Sequence, residues 1–215
     1  MDKITMVKKI KLGLEAYKQF VNKEIHYVYK ADGVYKEIVL KAKKQEFMHL
    51  CGVEYYDPKL KKKVSPNHFY SLVEDNKISA EHLIPKRDGT TVLKLRVIEC
   101  LNEILTSSIR IVDKQVTFSK FGAAKTLRSS RQIFALALKP EGKRSDKHIP
   151  VSLLDLRTTK GDFLKPSYMV DCIYSKSRTE GIHIYHETES YRAHRLELEF
   201  MEHEKNKEIE KVDAV

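Results

Sequence analysis

The chain has 215 residues, with 40 Lys and Arg against 30 Asp and Glu, a formal net charge of +10 and a pI of about 9.3. Hydrophobic residues make up 41% of it, too many for a chain that stays unfolded, and no apolar run is long enough to span a membrane. The three cysteines are far apart and form no CxxC pair, which excludes a disulfide framework or a zinc cluster and predicts a reduced, cytoplasmic protein.

The positive charge is concentrated in one part of the chain. Residues 1–186 carry 35 Lys and Arg against 21 Asp and Glu, whereas residues 187–215 carry 5 against 9. This contrast predicts a basic α+β domain at 1–186 and an acidic, helical or partly disordered tail at 187–215. Clustered positive charge favours a polyanionic partner, although scattered lysines serve solubility equally well.

The first elements are a helix and a hairpin. Apolar residues at steps of three and four predict an amphipathic helix over residues 3–24. Asp32-Gly33 between two runs rich in Tyr, Val and Ile predicts a hairpin with strands near 25–31 and 34–41. A short helix should follow and end at Gly52.

The middle of the chain is predicted to be helical. Pro66 suits the first turn of one helix, and Ser79 suits the cap of a shorter one closed by Pro85. A third helix, carrying Leu93, Val97 and Leu101 on one face, should run through TTVLKLRVIECLNEILTS.

After Ser108 the pattern changes to strands. Alternation around Asp113-Lys114 predicts a second hairpin, and the apolar run IFALALK predicts a central strand. Further strands are expected at IPVSLLDL, SYMVDCIYS and GIHIYHE. The predicted class is α+β, with helices packed on an antiparallel sheet.

Four segments carry a resemblance to a known family. They are FMHLCGVEYYDP, HFYSLVEDNKIS, DGTTVLKLRVIECL and IPVSLLDLR, with most of the likeness in His49–Gly52 and Pro150–Leu154. Between about residues 35 and 175 the chain resembles the phage-associated part of the barnase–EndoU–colicin–RelE nuclease superfamily, in particular the fourth phage group, found in mobile elements of Firmicutes.

This resemblance implies a barnase/RelE-like nuclease core with an added N-terminal helix and hairpin. It also implies a metal-independent ribonuclease without a cofactor, acting as a toxin or effector of a phage or mobile element, with an antitoxin or a host defence protein as a partner. Two alternatives stay open: a non-catalytic nucleic-acid- or protein-binding protein that inhibits host defence, and an acidic tail that mimics RNA and covers the basic cleft.

Metal-free RNA cleavage needs a base for the ribose 2′-hydroxyl, an acid for the leaving oxygen and cations for the phosphorane. His49 is the first candidate because imidazole titrates near neutrality and because it lies in the segment most like the family. A histidine that fixes the core through a backbone carbonyl is the structural alternative.

The basic run KTLRSSRQ supplies the next candidates. Lys125, Arg128 and Arg131 recur every three residues just before the IFALAL strand. Arg128 and Arg131 are predicted to be catalytic, and Lys125 is predicted to bind nucleic acid. The alternative interpretation of this run is a solvated charged loop. Ser152, which follows Val151, is a fourth catalytic candidate. Its alternative role is that of a buried residue whose hydroxyl is hydrogen-bonded within the sheet.

Four more cations are predicted to bind nucleic acid: Lys94, Arg96, Lys176 and Arg178. Tyr174 could stack on a base, although a core tyrosine is the alternative. Metal chemistry has little support, because His183 and His186 would face opposite sides of a strand and no HExxH is present. The chain also lacks the GxxxxGK[ST], GxGxxG and GxSxG motifs of NTPases, dinucleotide enzymes and hydrolases.

Overall fold

A computed structural model describes most of the chain. The described residues are 1–59, 61–118, 121–142, 145–157, 164–177 and 181–212. The helices are α1 (Lys3–Lys18), α2 (Lys44–Cys51), α3 (Pro66–Glu74), α4 (Thr90–Leu95) and α5 (Glu189–Val212), with a 3₁₀ helix at Ile98–Leu105. The strands are β1 (Glu24–Ala31), β2 (Val34–Lys41), β3 (Val53–Asp57), β4 (Lys62–Lys63), β5 (Leu83–Pro85), β6 (Ile109–Val112), β7 (Val116–Phe118), β8 (Phe121–Ala123), β9 (Lys125–Ser129), β10 (Phe134–Pro140), β11 (Lys147–Asp155), β12 (Tyr168–Ser177) and β13 (Gly181–Glu187).

The main sheet closes into a barrel of seven strands. Its order is β1-β2-β11-β10-β9-β6-β12, and β12 pairs back with β1, while β13 adds to the outer side of β12. The pairing of β2 with β11 is parallel, whereas the other pairs in the barrel are antiparallel. The prediction of a mixed helix and sheet protein is confirmed, but the antiparallel sheet is wrong. The sheet is closed by pairings between strands that are far apart in the sequence. The alternation of apolar and polar residues predicts a strand but does not indicate which strand it pairs with.

Alternate residues of all seven barrel strands join one apolar cluster, which marks the interior of the barrel. The same cluster continues into α1, α2, α3 and the 3₁₀ helix, so barrel and helices share a core. A smaller cluster on the opposite face of β10 is covered by Val116, Ala123 and Leu164. Side chains that alternate with the interior ones therefore lie on the outer surface of the barrel.

The first hairpin and several strands form where they were predicted. Asp32 and Gly33 both have positive φ (54° and 80°), as a tight hairpin turn requires, and join β1 to β2. The IFALAL run is β10, with a strand on each side. The strands predicted at IPVSLLDL, SYMVDCIYS and GIHIYHE are β11, β12 and β13, and the acidic tail forms α5 over its described part.

Four local predictions are wrong. Helix α1 ends at Lys18 and not near residue 24, because the chain turns at Asn22 (φ 60°) to enter β1. The segment after Ser79 forms strand β5, which pairs with β3, and β6 pairs with β9 and β12 and not with β7. The third predicted helix is divided at buried Val97 into α4 and the 3₁₀ helix.

No helix within the described ranges combines the length and apolar character of a membrane span.

Gly52 ends α2 as predicted and also makes room for a neighbouring side chain. Its φ is 68°, and a Cβ at this position would lie 2.8 Å from Cδ of Lys94. Gly89 has a similar φ of 77°, but a Cβ there would meet nothing within 4 Å. The two glycines therefore share a backbone requirement and differ in packing.

We expect Gly52→Ala to lower the free energy of unfolding by about 2 kcal/mol and Gly89→Ala by about 1 kcal/mol. Both alanines are strained by the positive φ, but only the alanine at position 52 displaces Lys94. Urea unfolding of the two variants beside the wild type measures the difference. Equal losses would contradict a tight contact between Gly52 and Lys94.

Candidate active site

Four polar side chains meet on the outer surface where β2, β1 and β12 lie side by side. The Glu37 carboxylate accepts a hydrogen bond at Oε1 from the Tyr174 hydroxyl (2.5 Å), and the same oxygen lies 3.0 Å from His26 Nδ1. The His26 ring stacks on the Tyr174 ring with 4.6 Å between centroids. The Lys176 amine lies 5.4 Å from the centroid of the Tyr174 ring. These residues are the His26–Glu37 cluster.

Strand register brings the cluster together. His26 is directly opposite Tyr174 in the β1–β12 pair. Glu37 is opposite Val28, two positions along β1 from His26. Opposite and diagonal neighbours on one face of a sheet lie about 5–8 Å apart, so three strands are enough to assemble residues that are distant in sequence.

The surroundings set the protonation of two members of the cluster. The hydrogen bond with His26 lowers the pKa of Glu37, and the Tyr174 hydroxyl and the charge of Lys176 act in the same direction against burial. Burial, helped by the hydrogen bond to Glu37, raises the pKa of Tyr174, so the phenol keeps its proton. No described residue forms a hydrogen bond with the second carboxylate oxygen, Oε2 of Glu37, and the residue is exposed.

Sequence reasoning missed His26 and Glu37. Both lie in the predicted hairpin, at positions that alternate with the interior residues Tyr27 and Ile38. A histidine and a carboxylate on the outward face of a predicted hairpin could have indicated a candidate site. Their proximity to Tyr174 and Lys176 depends on the pairing of β1 with β12, which the sequence pattern does not predict.

His49 lies elsewhere, at a groove of about 530 Å³ that we call the His49 groove. It is lined by Gln45, Glu46, His49, Ser65, Pro66, Asn67, Lys139, Ile149, Pro150 and Val151. Partial burial lowers the pKa of His49, and the charges of Lys94, Lys86 and Lys139 lower it further, against a hydrogen bond to the Val151 backbone. The groove therefore holds an imidazole of lowered pKa beside the exposed amine of Lys139.

Lys94 is buried behind this groove and connects it to the end of α2. Its Nζ donates a hydrogen bond to the carbonyl oxygen of His49 at 2.8 Å. Burial lowers the pKa of Lys94 to about 8. A cation at the C-terminus of a helix also interacts favourably with the helix dipole, so Lys94 stabilises the end of α2.

The other predicted catalytic residues do not join His49 in one cluster. Ser152 is next to Val151, but it is buried and faces Ala137 across the β10–β11 pair. Arg128 lies two strands further on, in β9. Arg131 is exposed, with Nη2 3.8 Å from Glu103 Oε1.

Arg128 forms part of a different arrangement. It is buried and donates hydrogen bonds to the Ser129 carbonyl at 3.0 Å and the Ser167 hydroxyl at 2.6 Å. Arg110, directly opposite on β6, donates to the same Ser167 hydroxyl and to its carbonyl. The two arginines thus hold the segment before β12 against β6 and β9.

The residues predicted to bind nucleic acid are also dispersed. Lys125 forms an ion pair with Asp113, and Arg96 is exposed at the end of α4. Lys176 is exposed in the His26–Glu37 cluster, and Arg178 lies outside the described residues. Within the described ranges no three His, Cys, Asp or Glu side chains lie close enough to hold a metal ion.

The His26–Glu37 cluster combines acid–base groups with a lysine, and these are the kinds of group that chemistry on phosphodiesters uses. Comparison with protein families gives the particular group. The family described as phage-Barnase-EndoU-ColicinE5/D-RelE like nuclease 4 matches residues 9–193, so the chain belongs to this nuclease family. The match includes the second half of α1 and the start of α5, beyond the segments that suggested it. Neither the curated proteins nor the solved structures gave a match.

Proposed function

We propose that this protein is a metal-independent ribonuclease of a phage or mobile element, acting in the cytoplasm as a toxin or effector. The observation that supports it is the His26–Glu37 cluster, in which the exposed side chains of Glu37 and Lys176 lie beside the imidazole of His26, which is 8% exposed. These are the base, the acid and the cation that attack by a ribose 2′-hydroxyl requires.

In this proposal Glu37 Oε2 accepts the 2′-hydroxyl proton while the 2′-oxygen attacks the neighbouring phosphorus. The bond from phosphorus to the 5′-oxygen breaks, and protonated His26 donates a proton from Nε2 to that oxygen. Lys176 neutralises charge on the phosphorane oxygens. The products are a 2′,3′-cyclic phosphate and a 5′-hydroxyl, and solvent returns both side chains to their starting protonation.

Tyr174 is a positioning residue in this scheme. Its hydroxyl donates to Oε1 of Glu37 and its ring stacks on His26, which leaves Glu37 Oε2 for the substrate. His26 is 8% exposed, and in the proposal Nε2 is the part of its ring that the substrate reaches. A second hydrogen bond and a stacked ring leave both catalytic groups little rotamer freedom. Less conformational entropy is therefore lost when the transition state is reached.

The test is cleavage of a single-stranded RNA in EDTA, beside the same RNA with one 2′-deoxynucleotide at the site of cleavage. We expect cleavage of the first and none at the modified position of the second, with a cyclic phosphate detected by mass spectrometry. Cleavage at the deoxynucleotide, or activity that requires added metal, would contradict the mechanism. Binding without any cleavage would favour the non-catalytic alternative.

A further inference from the structure

The His49 groove is a positively charged recess that the proposed reaction does not use. Lys139 is exposed in its lining, and the Nζ of buried Lys94 lies 2.8 Å from the carbonyl oxygen of His49. The one carboxylate in the lining, Glu46, is already engaged by the Lys43 backbone N–H at 2.7 Å and by Gln45 at 3.1 Å. Lys139 and the buried Lys94 amine together outnumber this one carboxylate, which leaves the recess with one net positive charge and favours a phosphate group.

The walls of the groove suit a nucleobase next to that phosphate. Ile149, Pro150 and Val151 form an apolar side, and the His49 ring offers a flat surface for stacking. Asn67, exposed at the start of α3, supplies an amide that can both donate to and accept from a base edge. A volume of about 530 Å³ is within the range of small-ligand sites, about 300–1,000 Å³.

The groove and the His26–Glu37 cluster are on the same outer surface. His26 is opposite Val39 on β2, Val39 is opposite Lys147 on β11, and Ile149 of the groove is two residues further along β11. Two strand spacings and two residues place Ile149 about 12 Å from His26 between Cα atoms. One strand of nucleic acid can cover both places, as it does on other small barrels.

The surface between them does not repel such a strand. Its outward side chains form a connected set of ion pairs in which Lys41, Lys43 and Lys147 neutralise Glu24 and Glu141. Three lysines against two carboxylates leave one net positive charge along this path.

We propose that the His49 groove is a binding subsite for one nucleotide of the single-stranded RNA, beside the nucleotides at which the cluster cleaves. Lys139 binds its phosphate, and His49 and Asn67 contact its base. This assignment makes His49 a substrate-binding residue and not the acid or base of the reaction. It rests on the proposed function for its substrate, but binding alone can test it.

The probe is a fully 2′-O-methylated RNA oligonucleotide, which has no free 2′-hydroxyl and cannot be cleaved by the proposed route. Its binding is followed by fluorescence anisotropy at several salt concentrations for the wild type, His49→Ala, Lys139→Ala and the control Lys8→Ala, which removes an exposed lysine of α1. We expect His49→Ala to weaken binding at least about fivefold, the lower end of what one stacked base contributes. Lys139→Ala should reduce the slope of log affinity against log salt by about 0.7, the value of one phosphate contact on a single strand.

Unchanged affinity and slope in both groove variants, or equal losses in Lys8→Ala, would overturn the subsite. With cleavable RNA, His49→Ala should raise KM and keep kcat within about threefold, because uniform binding is lost without loss of transition-state contacts. A hundredfold fall in kcat with unchanged KM would instead place His49 in the chemistry. If no RNA is cleaved at all but the probe binds through His49, the proposed function fails and the subsite stands.

Discussion

Glu37→Gln is expected to lower kcat for RNA cleavage by about 100-fold to 10,000-fold, the usual contribution of a positioned acid or base. The amide keeps the size of the side chain and can still accept from the Tyr174 hydroxyl, so the fold around the cluster should survive. It cannot take the 2′-hydroxyl proton. Initial rates on a fluorescent RNA substrate measure the loss.

The matched control is Glu15→Gln, which removes an exposed carboxylate of α1 paired with Lys18. It should keep the wild-type rate. His26→Gln should cause a loss of the same order as Glu37→Gln, and the double variant should lose little more, because the two groups act in one step. Wild-type rates in Glu37→Gln would show that the cluster is structural.

The stability of the protein relative to Lys94→Met is expected to rise between pH 8 and pH 10.5, by up to about 3 kcal/mol. Burial lowers the pKa of Lys94 to about 8 in the folded chain, from an ordinary value of 10.5. In this window the unfolded chain holds a proton that the folded chain has released. Raising the pH therefore favours the folded state, and the gain is absent below pH 8, where both states are protonated.

Urea unfolding of both proteins at several pH values measures this difference, since groups common to both proteins cancel. Lys8→Met, which removes an exposed lysine, should give no such window. A flat difference for Lys94→Met would mean that water reaches the amine behind the His49 groove and keeps its pKa ordinary.

Local features of the fold could be predicted from the sequence because short-range chemistry sets them. The turn at Asp32-Gly33, the end of α2 at Gly52 and strand β10 follow from positive φ and from apolar runs. Closure of the barrel could not be predicted in this way. It depends on the parallel pairing of β2 with β11 and the pairing of β1 with β12, which leave no mark in either strand alone.

The same limit explains the candidate site. Lys176 was predicted from its charge and Tyr174 from its ring, but His26 and Glu37 lie on the first hairpin, which looked purely structural. The importance of His49 was inferred from the family resemblance, and the structure puts it with Lys94 and Lys139, away from Arg128 and Arg131. Where each residue acts stays a prediction until the variants are measured.

The pairing of β1 with β12 also determines when the proposed ribonuclease can first act during its own synthesis. A ribosome delivers β1 and β2 early and β12 late, and domains fold as their sequence emerges. Until Tyr174 and Lys176 leave the exit tunnel, His26 and Glu37 have neither their hydrogen-bonding partner nor their cation. Before that point we expect a nascent chain beside ribosomal and messenger RNA to lack the proposed activity, although its first two strands have already been made.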